Sequence, residues 1–216
     1  MSITLSTGTI IAIAKTYGSV VNMTALSNAA EAVATLAAGH SVVAGDYLEL
    51  TSGWGRLNGR IVRAKTVSTN DVTLEGINTT NTTVYPAGTG TGSIRRITAW
   101  SNLSQIQEIS SSGGDLQFVD ITAIDDVVSK QMPTIRAPVT MNLTTFDDPT
   151  LAWYADVVAA DEARTPYGLR LSAPNGSKLV ANAYWGLQRV PQIASNQPAK
   201  TQIGITYAAE PVRYTT

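Results

Sequence analysis

The chain contains no cysteine and a single histidine. Without thiols there is no disulfide, no thiolate nucleophile and no thiolate metal site, so the fold must hold by packing and hydrogen bonding alone. A nucleophile–histidine–acid triad would have to use His40, which sits between Gly39 and Gly45 and reads as a turn residue. The His or Cys clusters that a zinc site needs are missing as well. Charge is also scarce, at 14% of residues, and fifteen basic side chains face sixteen acidic ones. Residues 1–100 carry seven basic and five acidic groups, residues 101–216 eight and eleven. No field of either sign arises that could grip a phosphate backbone. No apolar run is long enough to span a bilayer, and the opening MSITLSTGTIIAIAK has no basic residue ahead of its short apolar run, unlike a secretory signal. These absences point to a protein soluble at synthesis in a reducing cytoplasm. Asn-x-Thr triplets such as the one at Asn81 are then products of composition and not glycan sites.

What remains is 44% hydrophobic residues in 216, enough for one large β-rich domain or a domain with a small insertion. The low charge leaves a surface of Thr, Ser, Asn and Gln, which suits extended contact with other protein. Residues 9–15 form a β-branched apolar run and read as a buried strand. Residues 24–38 are ambiguous, since their alanines ending at Gly39 also suit a capped helix. The segments after them favour strands. Gly45-Asp46 opens a run at Tyr47, Asn58-Gly59 precedes a run from Ile61 to Val67, and Asn70-Asp71 turns into Val72 to Ile77. A last run from Ser93 to Thr98 closes the series. That spacing predicts a small barrel-like module over 24–98. Residues 78–92, rich in Thr, Asn and Gly, read as a projecting, mobile loop.

Beyond Trp100, residues 106–109 precede a Ser-Gly break at 110–114, then 118–124 and Asp125-Asp126. Residues 139–144 alternate at period two and predict a half-buried strand. Asp148 as cap and Pro149 at the first turn predict a helix in which Leu151, Tyr154, Ala155, Val158, Ala159 and Glu162 recur at helical spacing, covering a sheet. A hairpin turns at Pro174-Asn175-Gly176, and the final strand is 201–207.

Carboxylates are the remaining source of chemistry. Asp120, Asp125 and Asp126, or Asp147 and Asp148, have neither calcium-loop spacing nor a fixed pairing, and they read as a solvated turn and a helix N-terminus. The glycine-rich 88–93 stretch lacks the P-loop lysine and its strand-to-helix context. No catalytic, cofactor or metal residue is therefore expected, and the chain does not read as an enzyme. A carbohydrate- or receptor-binding β-protein remains an alternative, stacking ligands on Trp54, Trp100, Trp153 or Trp185, whereas interface or core is the plainer use of such residues.

Read together, the order of these segments from Trp100 to Tyr214 resembles the tail tube (major tail) proteins of long, non-contractile-tailed bacteriophages. The likeness is carried by 106–109 with its Ser-Gly break, Asp120 to Asp126, and Met141-Asn142-Leu143 before Asp147-Asp148-Pro149. It continues through the helix, Ala173-Pro174-Asn175-Gly176-Ser177, Tyr184-Trp185-Gly186 and the strand ending near Pro211-Val212. A second, smaller likeness, to a β-module inserted in phage structural proteins, is carried by Gly39-His40, Gly45-Asp46 and Leu57-Asn58-Gly59-Arg60.

The resemblance implies a mainly β fold: a tail-tube β-sandwich or barrel over 1–23 and 99–216, one flanking helix, and an inserted small β module at 24–98. It implies hexameric rings stacked head to tail into a hollow conduit, with partners such as tape measure, terminator and tail-tip proteins. DNA would pass through the lumen without specific binding, no membrane would be involved, and the protein would be made in the host cytoplasm and end in the virion. The inner tube of a contractile tail and a tail terminator share the expected fold. A contact that closes around the ring, plus one that does not close along the axis, builds such a filament. Joined edge strands remove exposed edges, and a neutral or acidic wall lets DNA slide. Loops 78–92 and 110–114 are the expected ring-to-ring contacts.

Overall fold

The computed structural model describes residues 7–215; residues 1–6, at the head of the segment read above for a leader, lie outside them. The first strand, β1 (Ile10–Leu26), runs far beyond the seven residues that hydrophobicity marks. It is followed by β2 (Val33–Leu36), β3 (Tyr47–Ser52), β4 (Ile61–Ser68), β5 (Asp71–Leu74) and the long β6 (Gly92–Leu103). Next come β7 (Ile106–Ser112), β8 (Leu116–Asp120), β9 (Gln131–Arg136) and β10 (Thr140–Phe146). The helix α1 (Ala152–Ala163) and strands β11 (Tyr167–Ser172), β12 (Lys178–Leu187), β13 (Lys200–Tyr207) and β14 (Val212–Tyr214) complete the chain. The fold is mainly β with one helix, as the sequence predicts.

Strands β1 and β6 lie antiparallel along nearly their whole length, from Ile11 opposite Leu103 to Met23 opposite Gly92. The register shifts between Ala14 and Val20, and such bulges bend a strand and raise its twist. The bend divides the pair between two structures. The far halves join β3, β4, β5 and β2 in the order β6-β3-β4-β5-β2, and β2 pairs back onto β1 at Met23, Ala25 and Leu26. This closes a six-stranded barrel without a free edge. Its interior is filled by alternate residues, among them Leu48, Leu50, Val62, Ala64, Val72 and Leu74, all buried. The near halves carry the open sheet β6-β1-β11-β12-β13-β10-β7, every pair antiparallel.

On one face of this sheet a second core gathers Ile11, Ile13, Met141, Leu143, Leu169, Trp185, Ile203 and Ile205 beneath α1. Burying each such side chain contributes about 1.5–3 kcal/mol. The helix starts later than its sequence signals suggest. Leu151 precedes it with extended backbone and no side-chain cap, because the Asp148 carboxylate accepts from the Thr150 N–H and hydroxyl in the preceding turn. The buried face is also rotated from the expected one: Trp153, Val157 and Ala160 turn inward, at spacings of four and three. With apolar residues on several sides of this helix, periodicity alone leaves its orientation open, and the volume of Trp153 decides it. Its indole N–H reaches the Ser104 hydroxyl at 3.2 Å.

Residues 78–92 do not project. Tyr85 packs edge-on against Trp54 with ring centroids 5.2 Å apart, and the Trp54 indole donates to the Pro86 carbonyl and Thr89 hydroxyl. Thr79 is fully buried, and the Asn28 amide donates to the carbonyls of Thr79 and Tyr85. A Cβ at Gly90 would lie 2.8 Å from the indole, so glycine there lets the chain cross the ring. The loop is a lid over one end of the barrel. Buried Thr79 and Gly90 and half-buried Tyr85 anchor it, while Asn78 and Thr80 to Thr83 stay exposed and bond one another and the backbone at the surface.

Barrel and sheet are packed together on the outer side of the bend. The Tyr17 hydroxyl accepts from the Gly168 N–H at 2.9 Å, and the Tyr214 hydroxyl accepts from the Arg63 N–H at 2.7 Å. Burial pushes both phenols up to about 12. The Arg95 guanidinium lies 3.9 Å over the Tyr17 ring while pairing with Glu49, and the other Glu49 oxygen accepts from the buried Asn182 amide. Gly168 sits at the centre of this contact. A Cβ there would lie 3.0 Å from Ala14, Ile61 and Ile97 together. Two of those neighbours are the flexible ends of isoleucines, so Gly168→Ala is expected to be mild. Gly168→Val overpacks the seam and is expected to lower stability by about 1–3 kcal/mol, read by urea unfolding. A valine variant as stable as the parent would show that the seam is loosely packed.

Candidate functional site

His40 lies in a turn, its Nε2 against the Thr69 carbonyl at 2.9 Å and its Nδ1 accepting from the Val42 N–H. Both ring nitrogens are thus used in loop geometry. Asp147 and Asp148 lie at the turn before α1, remote in sequence and fold from Asp120 and Asp126. Among the described residues no three ligating side chains converge on a metal position. The tryptophans are not binding platforms: Trp54, Trp153 and Trp185 are buried, and Trp100 is half-buried between Tyr47 and the Arg170 guanidinium. The stacking alternative loses its residues, because the indoles serve the two cores.

Surfaces are more informative than pockets. Strand β7 pairs with β10 on one side and with no other strand among the described residues. At the opposite end of the sheet, Ala99 to Leu103 of β6 pair with β1 alone, since β3 stops at Arg96. Open edges that are neither covered nor blunted template pairing with another chain. Between them, the face away from α1 carries rows set by the register. Ser112, Thr140, Thr206 and Tyr184 form one, Ser110, Asn142, Gly204 and Gly186 a second, and Glu108, Thr144 and Gln202 a third. Glu108 is the charged residue of these rows; Lys200 at the start of β13, and Arg170 and Lys178 on β11 and β12, share the face.

The third surface is the hairpin of β8 and β9, a two-stranded ribbon outside the main sheet. All residues of both strands are exposed, including Leu116, Phe118, Val119, Met132 and Ile135. Most of the exposed large apolar side chains among the described residues fall here. An isolated ribbon of this kind is marginal in water, and apolar exposure on this scale marks an interaction site.

Its tip is nonetheless fastened. The Asp120 carboxylate accepts from the Thr122 N–H at 2.8 Å and from its hydroxyl, the Ile121 N–H donates to the Lys130 carbonyl, and the Lys130 N–H donates to the Thr122 hydroxyl. Asp126 accepts from the Ala123 N–H and pairs with Lys130. These bonds hold Ile124, Val127 and Val128 out in solvent, the first two almost wholly exposed.

Residues 52–216 match the family described as phage tail tube protein, TTP. The chain belongs to the phage tail tube protein family. The match begins at the end of β3, so it takes in β4 and β5 of the barrel and the strands of the open sheet other than β1. This family is structural, a component of the virion tail. No curated protein sequence matches the chain. Among the solved structures that match, two align with half of the chain. One is the sheath–tube complex of the extracellular contractile injection system PVC in its extended state. It is 16% identical with a TM-score of 0.36, and the alignment covers 50% of this chain and 80% of that one. The other is the tube-terminating cap of the anti-feeding prophage AFP, at 19% identity and a TM-score of 0.33, covering 50% and 79%. The family assignment does not rest on either.

Sequence reasoning placed Asp120 to Asp126 in the tail tube pattern but did not find the hairpin. Its apolar residues look like core until their partners are known, and β9 carries Pro133, which argues against a strand inside a sheet. The tip depends on carboxylates, and hydrogen bonds hold both Asp120 and Asp126 below the usual carboxylate range, chiefly from Thr122 and Lys130 respectively. A lowered folded-state value means that the order is present above the unfolded value and is lost as pH falls through the folded one. Protection of the Ile121 and Ala123 amides, taken relative to their intrinsic exchange, is therefore expected to persist through the ordinary carboxylate range and to be lost as pH falls through the lowered values. Asp126→Ala should remove Ala123 protection at neutral pH without shifting global unfolding. Unchanged protection in that variant would refute the fastening.

Proposed function

We propose that this tail tube protein forms hexameric rings that stack head to tail into the hollow conduit through which a long-tailed phage delivers DNA. The observation that supports the reading is the sparsely charged polar face that β7, β10, β13 and the end of β12 present beside the open edge of β7. Pairing β7 of one subunit with residues 99–103 of the next continues the sheet around a ring, as β-augmentation does between chains. Six copies then present the rows of Ser110, Asn142, Thr144 and Gln202 to the interior.

The chemistry of that face suits transit. Fixed cations would release counterions on meeting phosphate and hold DNA in place, while hydroxyl and amide groups with a scattered carboxylate give no such grip. On this reading α1 and its core stiffen the wall from outside, and the barrel, the inserted 24–98 module closed by the far halves of β1 and β6, is carried on that wall. DNA is a passenger without a binding site. The partners are copies of the chain, then the tape measure inside the tube, and the terminator and tip proteins at its ends. No catalytic step is assigned to any residue.

Electron microscopy of the purified protein tests this. Six-fold rings or hollow tubes are expected, forming without added cofactor. A persistent monomer at high concentration, above all one that binds glycans, would contradict it.

A further inference from the structure

Guanidinium groups at the seam between barrel and sheet are matched by carboxylates in two places: Arg95 by Glu49, and Arg63 by Glu75. Arg170 is not. It lies on the barrel-facing side of β11, the side of Gly168, and pairs with no carboxylate among the described residues. Its side chain crosses β1, where only Ala12 and Ala14 stand on that face, and its Cζ sits 4.7 Å over the Trp100 ring. Tyr47 of the barrel meets the same ring edge-on at 5.8 Å.

Two donors at this corner are orphaned. Tyr47 is 7% exposed, and neither its hydroxyl nor the Arg170 Nε has a hydrogen-bond partner. Lys178, one register step along the same face, is half-buried and also without an acid. Burial pushes the Arg170 guanidinium below its usual value, and Tyr47 is the neighbour that works against this. A charge withdrawn from water without a partner is costly, and what it lacks here is negative charge. The guanidinium fork matches two oxygens of one oxyanion, a geometry that an ammonium does not offer.

We propose that this corner binds a small oxyanion of the phosphate class, held by the Arg170 fork and the Tyr47 hydroxyl, with Lys178 supplying further positive charge. Tyr47 belongs to β3 and Arg170 to β11, so the anion bridges barrel and sheet and stabilises the seam. Arg170, Trp100 and Lys178 are each partly exposed, which leaves the corner reachable from solvent. Free phosphate and a nucleic-acid backbone offer the same chemistry. The burial of Tyr47 favours the free ion, because gripping a backbone takes a run of exposed cations.

Urea unfolding in rising phosphate, with chloride holding the ionic strength, tests this. Phosphate at about ten times its Kd is expected to raise the folding equilibrium constant about tenfold. Arg170→Met should abolish that dependence, and Tyr47→Phe, which removes only the hydroxyl, should weaken it several-fold. An equal phosphate response in the parent and Arg170→Met would reduce the effect to a general action of salt and overturn the site. If Arg170→Met does not fold, an unchanged response in Tyr47→Phe overturns it equally. Chloride acting as strongly as phosphate would remove the oxyanion from the proposal and so contradict it. Calorimetric titration separates the sources: a short single-stranded oligonucleotide that binds where phosphate does not would assign the corner to nucleic acid and overturn the proposal, as would no response to either.

Discussion

The pairing of β1 with β6 is the constraint on which the rest of the structure depends. Two long strands cannot serve a closed barrel and an open sheet at once unless they bend, and the register shifts between Ala14 and Val20 supply the bend. Past that point the same backbone hydrogen bonds belong to a different core. Ile11 and Ile13 pack under α1, while Met23 and Leu26 fill the barrel. Each core therefore depends on strands that the other core also orders.

The seam on the outer side of the bend reinforces this coupling with polar contacts. Arg95 joins Glu49 across β3 and β6 and stacks on Tyr17, whose hydroxyl meets the sheet at Gly168. On the far side Arg63 pairs with Glu75, lies over Tyr214 at 4.6 Å and donates its N–H to the phenol. The Arg63 side chain holds the Glu75 carboxyl below its usual range. Such partly buried pairs, bidentate at Arg63 and Glu75, fix geometry more than they add free energy.

Much of this could be read from residues, and the limits have physical causes. Strand-forming runs from Tyr47 to Thr98 declared themselves because glycine and asparagine turns separate them, and the alternation at 139–144 did so because one face is buried. The length of β1 was hidden, since residues 15–22 are mostly exposed and show no apolar pattern. The face of α1 was misjudged because alanines and valines surround it. The candidate surface was the least legible part: an exposed Ile124 and a buried Ile203 are the same letter in a sequence, and only the fold shows that the hairpin has nothing to pack against. The open edges of β7 and β6 likewise depend on long-range pairing that no local pattern encodes.

If β1 and β6 weld the two cores, barrel and sheet must open together. Native-state hydrogen exchange along a denaturant series measures this directly. Amides of Ala34, Val62 and Val72 in the barrel and of Leu143, Ile203 and Ile205 in the sheet are expected to converge on one unfolding free energy with one denaturant dependence. A lower, separate opening of β2, β4 and β5, with β10 and β13 still protected, would contradict the account and make the barrel a loosely attached appendage.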